Sequence, residues 1–304
     1  MKIIVMGTGG VGGYFGARLA NAGYDVSFIA RGEHLKAIKN NGLKIISELG
    51  DMIIHPAKAS DNPADFEIAD IVLFCVKSYD TESSSNLIKP IVGQNTAVIP
   101  FLNGIGHIEI MQKILGKNPV IGGVAAISAL ISEPGVIQHN SAMQMLKFGE
   151  FNNIISPRIK AFQEACEKSG INNNIPENIE CDIWQKIIMI CTLAGANCIT
   201  RLPLGVCRTN PATRNFMKNL AEEAVEIAKA ENIILPDNQV EITMKQLDSL
   251  PEAMKASTLP ALEKGEKLEA SALNGAISIL GNKHKINTPA HKAVYAALSP
   301  HENG

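Results

Sequence analysis

The sequence lacks the features that would direct it to a nucleic acid or a membrane. Its 28 basic and 30 acidic residues leave a formal net charge of −2, and neither sign forms a long run. Nucleic-acid-binding domains usually carry a basic excess, so this balance argues against that class. Two long uncharged apolar stretches, Asn118–Ser132 and Ile187–Thr200, fall short of the roughly 18 residues that span a bilayer. The composition therefore predicts no nucleic-acid partner and no membrane partner.

The sequence also shows little sign of export or of a metal centre. Residues 1–6 lead straight into a glycine cluster, which leaves no room for the charged and apolar parts of a signal peptide. The six cysteines form no CxxC pair, and the seven histidines show no ligand spacing with them. We therefore expect a cytoplasmic protein with reduced thiols and no bound metal.

The first half of the 304-residue chain alternates short apolar segments with segments of helical periodicity. The apolar segments predict strands at Lys2–Met6, Asp25–Ala30, Leu43–Ser47, Met52–His55, Ile71–Val76 and Thr96–Phe101. The intervening segments predict helices at Gly10–Ala22, Glu33–Asn40 and Gly106–Leu115. This alternation predicts an α/β fold with a doubly wound, mostly parallel sheet.

The second half of the chain has a different character. Three further β-like segments are Val120–Ile131, Gly135–His139 and Met143–Phe148. Beyond Pro157 the periodicity predicts helices only, at Pro157–Ser169, Asn178–Thr200, Asn210–Glu231, Asn238–Leu247, Lys267–Asn282 and Thr288–Leu298. We therefore predict an N-terminal domain over residues 1–165 and an all-helical domain over residues 166–304, with residues 299–304 frayed.

A glycine-rich turn joins the first predicted strand to the first predicted helix. The run Gly7-Thr8-Gly9-Gly10-Val11-Gly12 fits the pattern GxGxxG in this context. Gly7 permits the tight turn, Gly9 lets the backbone approach a pyrophosphate, and Gly12 lets the helix lie close to the strand. The free N–H groups at the helix start attract the anion. The run therefore predicts a dinucleotide site, and the alternative is a glycine-rich turn without a ligand.

Arg31 follows the second predicted strand, about 20 residues after the glycine run. NAD-preferring folds normally place an acidic residue there, which binds the ribose hydroxyls. A guanidinium can instead pair with a 2′-phosphate through two parallel hydrogen bonds, which favours NADPH over NADH. The alternative is a solvated arginine, with Glu33 as the ribose acceptor.

Two more loops follow apolar strands and should face the cofactor. Lys77 comes after the strand Ile71–Val76, and Asn103-Gly104 comes after Thr96–Phe101. Ligands of open parallel sheets bind outside the carboxyl ends of the strands, where both positions are expected. The alternatives are a solvated lysine and a simple turn.

In their order along the chain, these residues and the downstream motifs resemble the ketopantoate reductase family. The downstream motifs are Glu133-Pro134-Gly135 with His139, Trp184-Gln185-Lys186, and Glu269 with Leu273-Asn274-Gly275. The resemblance implies a Rossmann-type domain and an all-helical domain in a 6-phosphogluconate-dehydrogenase-like arrangement, with the active site in the cleft between them. It also implies NADPH-dependent reduction of ketopantoate, a 2-oxo acid, to pantoate on the route to pantothenate and coenzyme A.

The resemblance implies a role for each candidate site residue. Lys186 would be the general acid, and Glu269 would hold the substrate hydroxyl. Ser257 would help to hold the substrate. Asn103 would contact the substrate and, with Lys77, line the nicotinamide side of the site.

The chemistry of Lys186 suits that role. Hydride transfer to a 2-oxo carbon places negative charge on the carbonyl oxygen, which a nearby cation stabilises and then protonates. Lys186 lies at the start of an otherwise apolar helical segment, and desolvation there would lower its pKa toward neutrality. The alternative is a lysine whose head group reaches into water.

The other implied residues also have ordinary structural interpretations. Glu269 could be a carboxylate placed favourably near a helix N-terminus. Asn274-Gly275 could be a packing feature, and Ser257 could be a helix cap.

The sequence departs from the family pattern beside Lys186. Ketopantoate reductases commonly carry asparagines four and eight residues after the lysine, whereas this chain has Ile190 and Ala194. Asn197 returns to nearly the same helix face, but at about 16 Å along the axis it is too far to replace them. The pattern therefore predicts a more apolar substrate pocket.

Two other functions remain open at this point. One is an NADP-dependent reductase of another 2-oxo acid, or a 3-hydroxy-acid or opine-type dehydrogenase of the same architecture. The other is a catalytically silent NADP(H)-binding sensor, which would bind cofactor without accelerating its oxidation. The sequence is compatible with a monomer and with a homodimer.

Overall fold

The computed structural model describes residues 1–304, whose regular elements are ten strands, twelve α-helices and four short 3-10 turns. The strands are β1 (Lys2–Met6), β2 (Asp25–Ile29), β3 (Leu43–Ser47), β4 (Met52–Ile54), β5 (Lys58–Ser60), β6 (Ala69–Phe74), β7 (Val92–Pro100), β8 (Gly122–Glu133), β9 (Val136–Gly149) and β10 (Asn173–Asn174). The helices are α1 (Gly10–Asn21), α2 (Gly32–Asn41), α3 (Thr81–Leu87), α4 (His107–Leu115), α5 (Pro157–Lys168), α6 (Ile179–Thr200), α7 (Leu204–Thr209), α8 (Pro211–Ala230), α9 (Gln239–Ser249), α10 (Thr258–Lys264), α11 (Asn274–His284) and α12 (Pro289–Leu298). The 3-10 turns are Pro63–Asp65, Ser78–Asp80, Lys89–Ile91 and Ser299–His301.

The chain divides into two units. The first comprises residues 1–102 and 107–179, and the second comprises residues 103–106 and 180–304. The sequence placed the boundary at residue 165 instead. Helix α5 and the segment after it stay with the first unit because Ile159, Phe162 and Ile171 are buried in its core.

A five-stranded parallel sheet organises the first unit. Its strand order is β5-β2-β1-β6-β7, and all of its strand pairs are parallel. Alternate residues of β1 enter different cores, Ile3 and Val5 on one face and Ile4 and Met6 on the other. A strand buried on both faces is apolar throughout, as its sequence predicts. The expected Rossmann-type sheet is confirmed.

A second sheet completes the first unit. Its order is β10-β9-β3-β4, with β8 paired to β9. The two strands predicted at Gly135–His139 and Met143–Phe148 are one continuous strand, β9. The interruption between them coincides with a register shift opposite Ile127 and Ala129 of β8.

The second unit is helical, as predicted, but one helix begins later than expected. Helix α11 starts at Asn274 rather than Lys267, because the backbone of Leu273 (φ −104°, ψ −106°) leaves the helical region. The N–H groups of Leu268 and Ser271 bond instead to Glu302. Residues 299–304, predicted to fray, therefore hold a neighbouring segment.

Helix α6 is the central element of the second unit. By length and composition alone it is apolar enough to cross a membrane, but 67% of its most apolar window is buried inside the fold. Ile187 and Ile188 pack in one cluster with Ala221 and Ala224 of α8. Burial on several sides accounts for its hydropathy, as in the core helix of a globular unit.

Candidate functional site

The glycine turn after β1 is shaped by close backbone approaches. Gly7 has φ +95°, and a Cβ atom there would lie 2.8 Å from the carbonyl oxygen of Cys75. A Cβ atom on Gly12 would lie 2.3 Å from the carbonyl oxygen of Gly7. Both glycines are therefore required by the fold itself.

Gly9 is different, because the fold leaves room for a side chain there. It precedes the first residue of α1 with φ −84°, and a Cβ atom would meet nothing within 4 Å. No side chain caps α1, and its first turn holds no acidic residue. The open space and the N–H groups of the helix start fit an anionic group such as a pyrophosphate.

His34 of α2 holds the glycine turn through hydrogen bonds of its ring. Its Nε2 donates to the carbonyl oxygen of Thr8 at 2.8 Å, and its Nδ1 accepts from the N–H of Gly135 at 2.9 Å. Burial lowers the pKa of His34, which favours the neutral ring that these two bonds require. No local sequence pattern predicts this role of His34.

The other candidate cofactor residues of the first unit follow neighbouring strands. Arg31 follows β2, precedes α2 and is exposed, and Lys77 follows β6 and is also exposed. Since β2, β1 and β6 are adjacent and parallel, the segments after them share one edge of the sheet. Glu33, the alternative ribose acceptor, forms an ion pair with Lys36 at 2.7 Å.

Lys186 lies in the second turn of α6 and is half-buried. Burial lowers its pKa to about 8, and the negative charge of Glu269 opposes that shift. An ammonium of this pKa remains mostly protonated at neutral pH and releases its proton more readily than an exposed lysine.

Glu269 lies in a non-helical segment, residues 268–273, that precedes α11. Three residues after Glu269, the carbonyl oxygen of Ala272 accepts a hydrogen bond from the N–H of Ile105 at 3.2 Å. Gly104 (φ +98°) allows this approach, because a Cβ atom there would lie 2.5 Å from the same carbonyl oxygen. Asn103, Glu269 and Lys186 therefore all belong to the second unit.

Asn274 is a packing residue, one of the two interpretations that its sequence allowed. It is 1% exposed. Its Nδ2 donates to the carbonyl oxygen of Cys191 at 3.1 Å and lies 3.1 Å from Nδ1 of His291. His291 donates from Nε2 to the carbonyl oxygen of Leu220 at 2.9 Å, so Nδ1 is the acceptor. Burial lowers the pKa of His291 to about 4, which keeps it neutral.

Ser257 is exposed and precedes α10, but its side chain makes no capping hydrogen bond. The capping interpretation is therefore wrong. Its neighbour Ala256 donates from its backbone to Oδ1 of Asn197 at 2.9 Å. Asn197 also donates to the carbonyl oxygen of Leu202 at 2.9 Å. Asn197 thus ties the segment before Ser257 to the helix of Lys186, a role its position on that helix face did not reveal.

The helix face beyond Lys186 is apolar, as the sequence predicts. Ile190 packs at the edge of one core cluster of the second unit, and Ala194 is buried in another. Across residues 1–304, no three His, Cys, Asp or Glu side chains lie close enough together to hold a metal ion.

A doubly wound parallel sheet and a helical unit with a half-buried lysine define the class as an oxidoreductase with a Rossmann-type unit. The chain belongs to the ketopantoate reductase family: the profile described as "Ketopantoate reductase PanE/ApbA" matches residues 3–153, and its C-terminal counterpart matches residues 178–302.

Individual relatives cover nearly the whole chain. "Uncharacterized oxidoreductase YkpB" of Bacillus subtilis is 32% identical over 302 residues, 99% of each chain. "2-dehydropantoate 2-reductase" of Mesorhizobium japonicum is 29% identical over 98% of this chain and 97% of its own. The crystal structure of a PanE/ApbA family ketopantoate reductase from Ralstonia eutropha JMP134 superposes with a TM-score of 0.90, at 28% identity, over 99% of this chain and 98% of that one.

Proposed function

We propose that this protein reduces a 2-oxo acid with NADPH, and that ketopantoate is the substrate. The observation that carries the proposal is the half-buried Lys186: burial lowers its pKa to about 8, and the negative charge of Glu269 opposes that shift. A cation of this kind is needed where a carbonyl oxygen becomes an alkoxide. The relative from Mesorhizobium japonicum, named for the same reaction, supports the choice of substrate.

The first unit supports NADPH as the cofactor. The open space at Gly9 and the uncapped start of α1 fit a pyrophosphate. Arg31 is exposed after β2, where a guanidinium would bind a 2′-phosphate, while Glu33 is engaged with Lys36. Thr8 lies in the turn, Gly10 and Val11 begin α1, and Lys77 follows the adjacent strand β6.

The reaction needs one hydride and one proton. When bound, the dihydronicotinamide supplies the hydride, which forms the new C–H bond. The electron pair of the carbonyl π bond moves to oxygen, and Lys186 stabilises that charge as an ammonium. An N–H bond of Lys186 then breaks as the O–H bond of the product forms. Lys186 is left neutral and regains a proton from solvent.

The remaining residues of the second unit would orient the substrate. The Glu269 carboxylate can accept a hydrogen bond from the substrate hydroxyl, since it presents only acceptors when ionised. Asn103 and Ser257 offer an amide and a hydroxyl for the substrate carboxylate. In this proposal Lys186 and Glu269 are the catalytic pair, and the other two residues bind the substrate.

A second candidate substrate is favoured by the apolar residues beyond Lys186. Ile190 packs at the edge of one core cluster and Ala194 is buried in another, so neither supplies a hydrogen bond to a substrate hydroxyl. That loss favours a 2-oxo acid with an apolar branched chain. The two candidates differ in one group, because 3,3-dimethyl-2-oxobutanoate is ketopantoate without its hydroxyl. The six free thiols fit a reducing, cytoplasmic setting for either substrate.

Steady-state oxidation of NADPH tests the proposal. We expect turnover with ketopantoate, a lower kcat/KM with 3,3-dimethyl-2-oxobutanoate, and near-complete loss of turnover in Lys186→Ala with cofactor affinity retained. A higher kcat/KM for 3,3-dimethyl-2-oxobutanoate would contradict ketopantoate as the substrate and support the second candidate. Cofactor binding without turnover on any oxo acid would identify a silent NADP(H)-binding protein.

A further inference from the structure

Glu302, near the end of the chain, forms two hydrogen bonds with the segment that contains Glu269. The N–H of Leu268 donates to the backbone carbonyl of Glu302 at 3.1 Å, and the N–H of Ser271 donates to Oε1 of Glu302 at 2.8 Å. One residue thus binds the backbone on both sides of Glu269. The 3-10 turn Ser299–His301 precedes Glu302 directly.

We propose that Glu302 is a positioning residue, which fixes Glu269 at the distance from Lys186 that the reaction needs. The proposal rests on the proposed function for its catalytic meaning. Glu302 itself would touch neither the substrate nor the cofactor. It would act only through the backbone of residues 268–271.

The local backbone explains why this support matters. Residues 268–271 precede α11, and turn hydrogen bonds join them to its start: the carbonyl oxygen of Glu269 accepts from the N–H of Ala272 at 3.1 Å. The N–H groups of Leu268 and Ser271 point away from these turns and are bound by Glu302 instead. A hydrogen bond from a backbone N–H to a carboxylate is stronger than one between neutral groups, so Oε1 of Glu302 is an effective anchor.

The charge of Glu269 offers a way to measure whether Glu302 positions it. Glu269 is the side chain whose negative charge raises the pKa of Lys186 against the effect of burial. Glu266, two residues before Leu268, lies 3.9 Å from Lys264 in an exposed ion pair. Removing Glu266 changes the net charge of the same surface without removing a hydrogen bond to residues 268–271.

The first experiment compares Glu302→Ala, Glu302→Gln and the control Glu266→Ala in steady-state assays. We expect Glu302→Ala to raise KM for ketopantoate by about fivefold, the size of one lost hydrogen bond. KM for NADPH should stay unchanged, because the glycine turn belongs to the first unit. In Glu302→Gln the KM for ketopantoate should stay close to that of the parent protein, since the amide oxygen still accepts from Ser271. Glu266→Ala should behave as the parent protein.

The second experiment needs no turnover. NMR titration of protein labelled with 13C at the lysine ε-carbons follows the pKa of Lys186, and the Lys186→Arg variant identifies its signal. If Glu269 moves away, the pKa of Lys186 should fall further in Glu302→Ala, because a charge that raises it is lost. Glu302→Asp, whose shorter chain retracts the carboxylate, gives the same test if the alanine variant does not fold.

The two experiments separate the possible failures. If the parent protein reduces no oxo acid but the Lys186 signal shifts in Glu302→Ala, the proposed function fails and the positioning role stands. If KM and the Lys186 titration are both unchanged in Glu302→Ala or Glu302→Asp, the positioning role is refuted. Equal effects of Glu302→Gln and Glu302→Ala would also refute it, because the amide acceptor would then have no value.

Discussion

Asn274 donates from Nδ2 to the backbone carbonyl oxygen of Cys191, at 3.1 Å, and so joins the start of α11 to the middle of α6. Cys191 lies five residues after Lys186, and Asn274 lies five residues after Glu269. The bond therefore sets the register between the two segments that carry the proposed catalytic pair. Because Asn274 also lies beside His291, the same amide joins three helices.

We expect Asn274→Ala to destabilise the protein by about 2–3 kcal/mol, because it leaves Nδ1 of His291 buried without a donor. Urea unfolding followed by circular dichroism measures the change. Asn282→Ala is the matched control, since Asn282 is exposed on the same helix. Equal unfolding midpoints for the two variants would show that the network adds nothing to stability.

Lys186→Met should abolish turnover and stabilise the fold. Burial lowers the pKa of Lys186 from 10.5 to about 8, so below pH 8 the folded protein keeps an ammonium in an unfavourable place. At about 1.4 kcal/mol per pKa unit, methionine gains up to roughly 3 kcal/mol. The gain should be full below pH 8 and shrink as the pH rises to 10.5, above which the lysine is neutral in both the folded and the unfolded chain. Thermal unfolding at pH 7 checks the prediction, and a lower Tm for Lys186→Met would contradict it.

The pH dependence of the reaction should report the same group. Lys186 must be protonated to act as the acid, so activity is present below its pKa and is lost as the pH rises through about 8. The measurement is kcat/KM for the oxo acid between pH 6 and 10 at saturating NADPH. A profile that is flat through pH 9 would remove Lys186 from the role of proton donor.

Gly9→Ala separates the fold from cofactor binding. A Cβ atom at Gly9 meets no protein atom within 4 Å, so the variant should fold with its stability unchanged or raised by about 0.5 kcal/mol. Its affinity for NADPH should fall by more than about tenfold, because the methyl group occupies the approach of the pyrophosphate. Gly12→Ala is the contrasting variant, since its Cβ atom would lie 2.3 Å from the carbonyl oxygen of Gly7. Unchanged NADPH affinity in a folded Gly9→Ala protein would place the cofactor elsewhere.

Arg31→Ala tests the preference for NADPH. We expect KM for NADPH to rise by about tenfold, the size of a charge-assisted pair with a phosphate, and KM for NADH to change little. Lys39→Ala is the control, because Lys39 is an exposed cation on α2, the helix that follows Arg31. If both variants weaken NADPH equally, the effect is one of general charge and not of a specific pair.

The local elements of the first unit could be predicted well, because each depends on its own residues. Strands Lys2–Met6 and Leu43–Ser47 have the predicted bounds, and the glycine turn lies between the predicted strand and helix. Predictions were less successful where distant residues decide. The start of α11 depends on Leu273 and on hydrogen bonds to Glu302, some 30 residues further along the chain.

The candidate site shows the same contrast. The apolar sequence after Lys186 predicted its partial burial and its lowered pKa. The supporting residues His34, Asn197 and Glu302 act through backbone groups far away in sequence. No local pattern marks a side chain that binds a distant backbone, so these three roles became visible only in the structure.

The four residues Asn103–Gly106 belong to the helical unit although they follow a strand of the other unit. In a chimera joined at residue 179, Ala272 would therefore lose its native partner, Ile105. The loop of the other protein would stand in its place. Any transplant of the helical unit into a related scaffold must carry these four residues with it. The two halves of this chain are not interchangeable parts, even where their sequences can be cut cleanly.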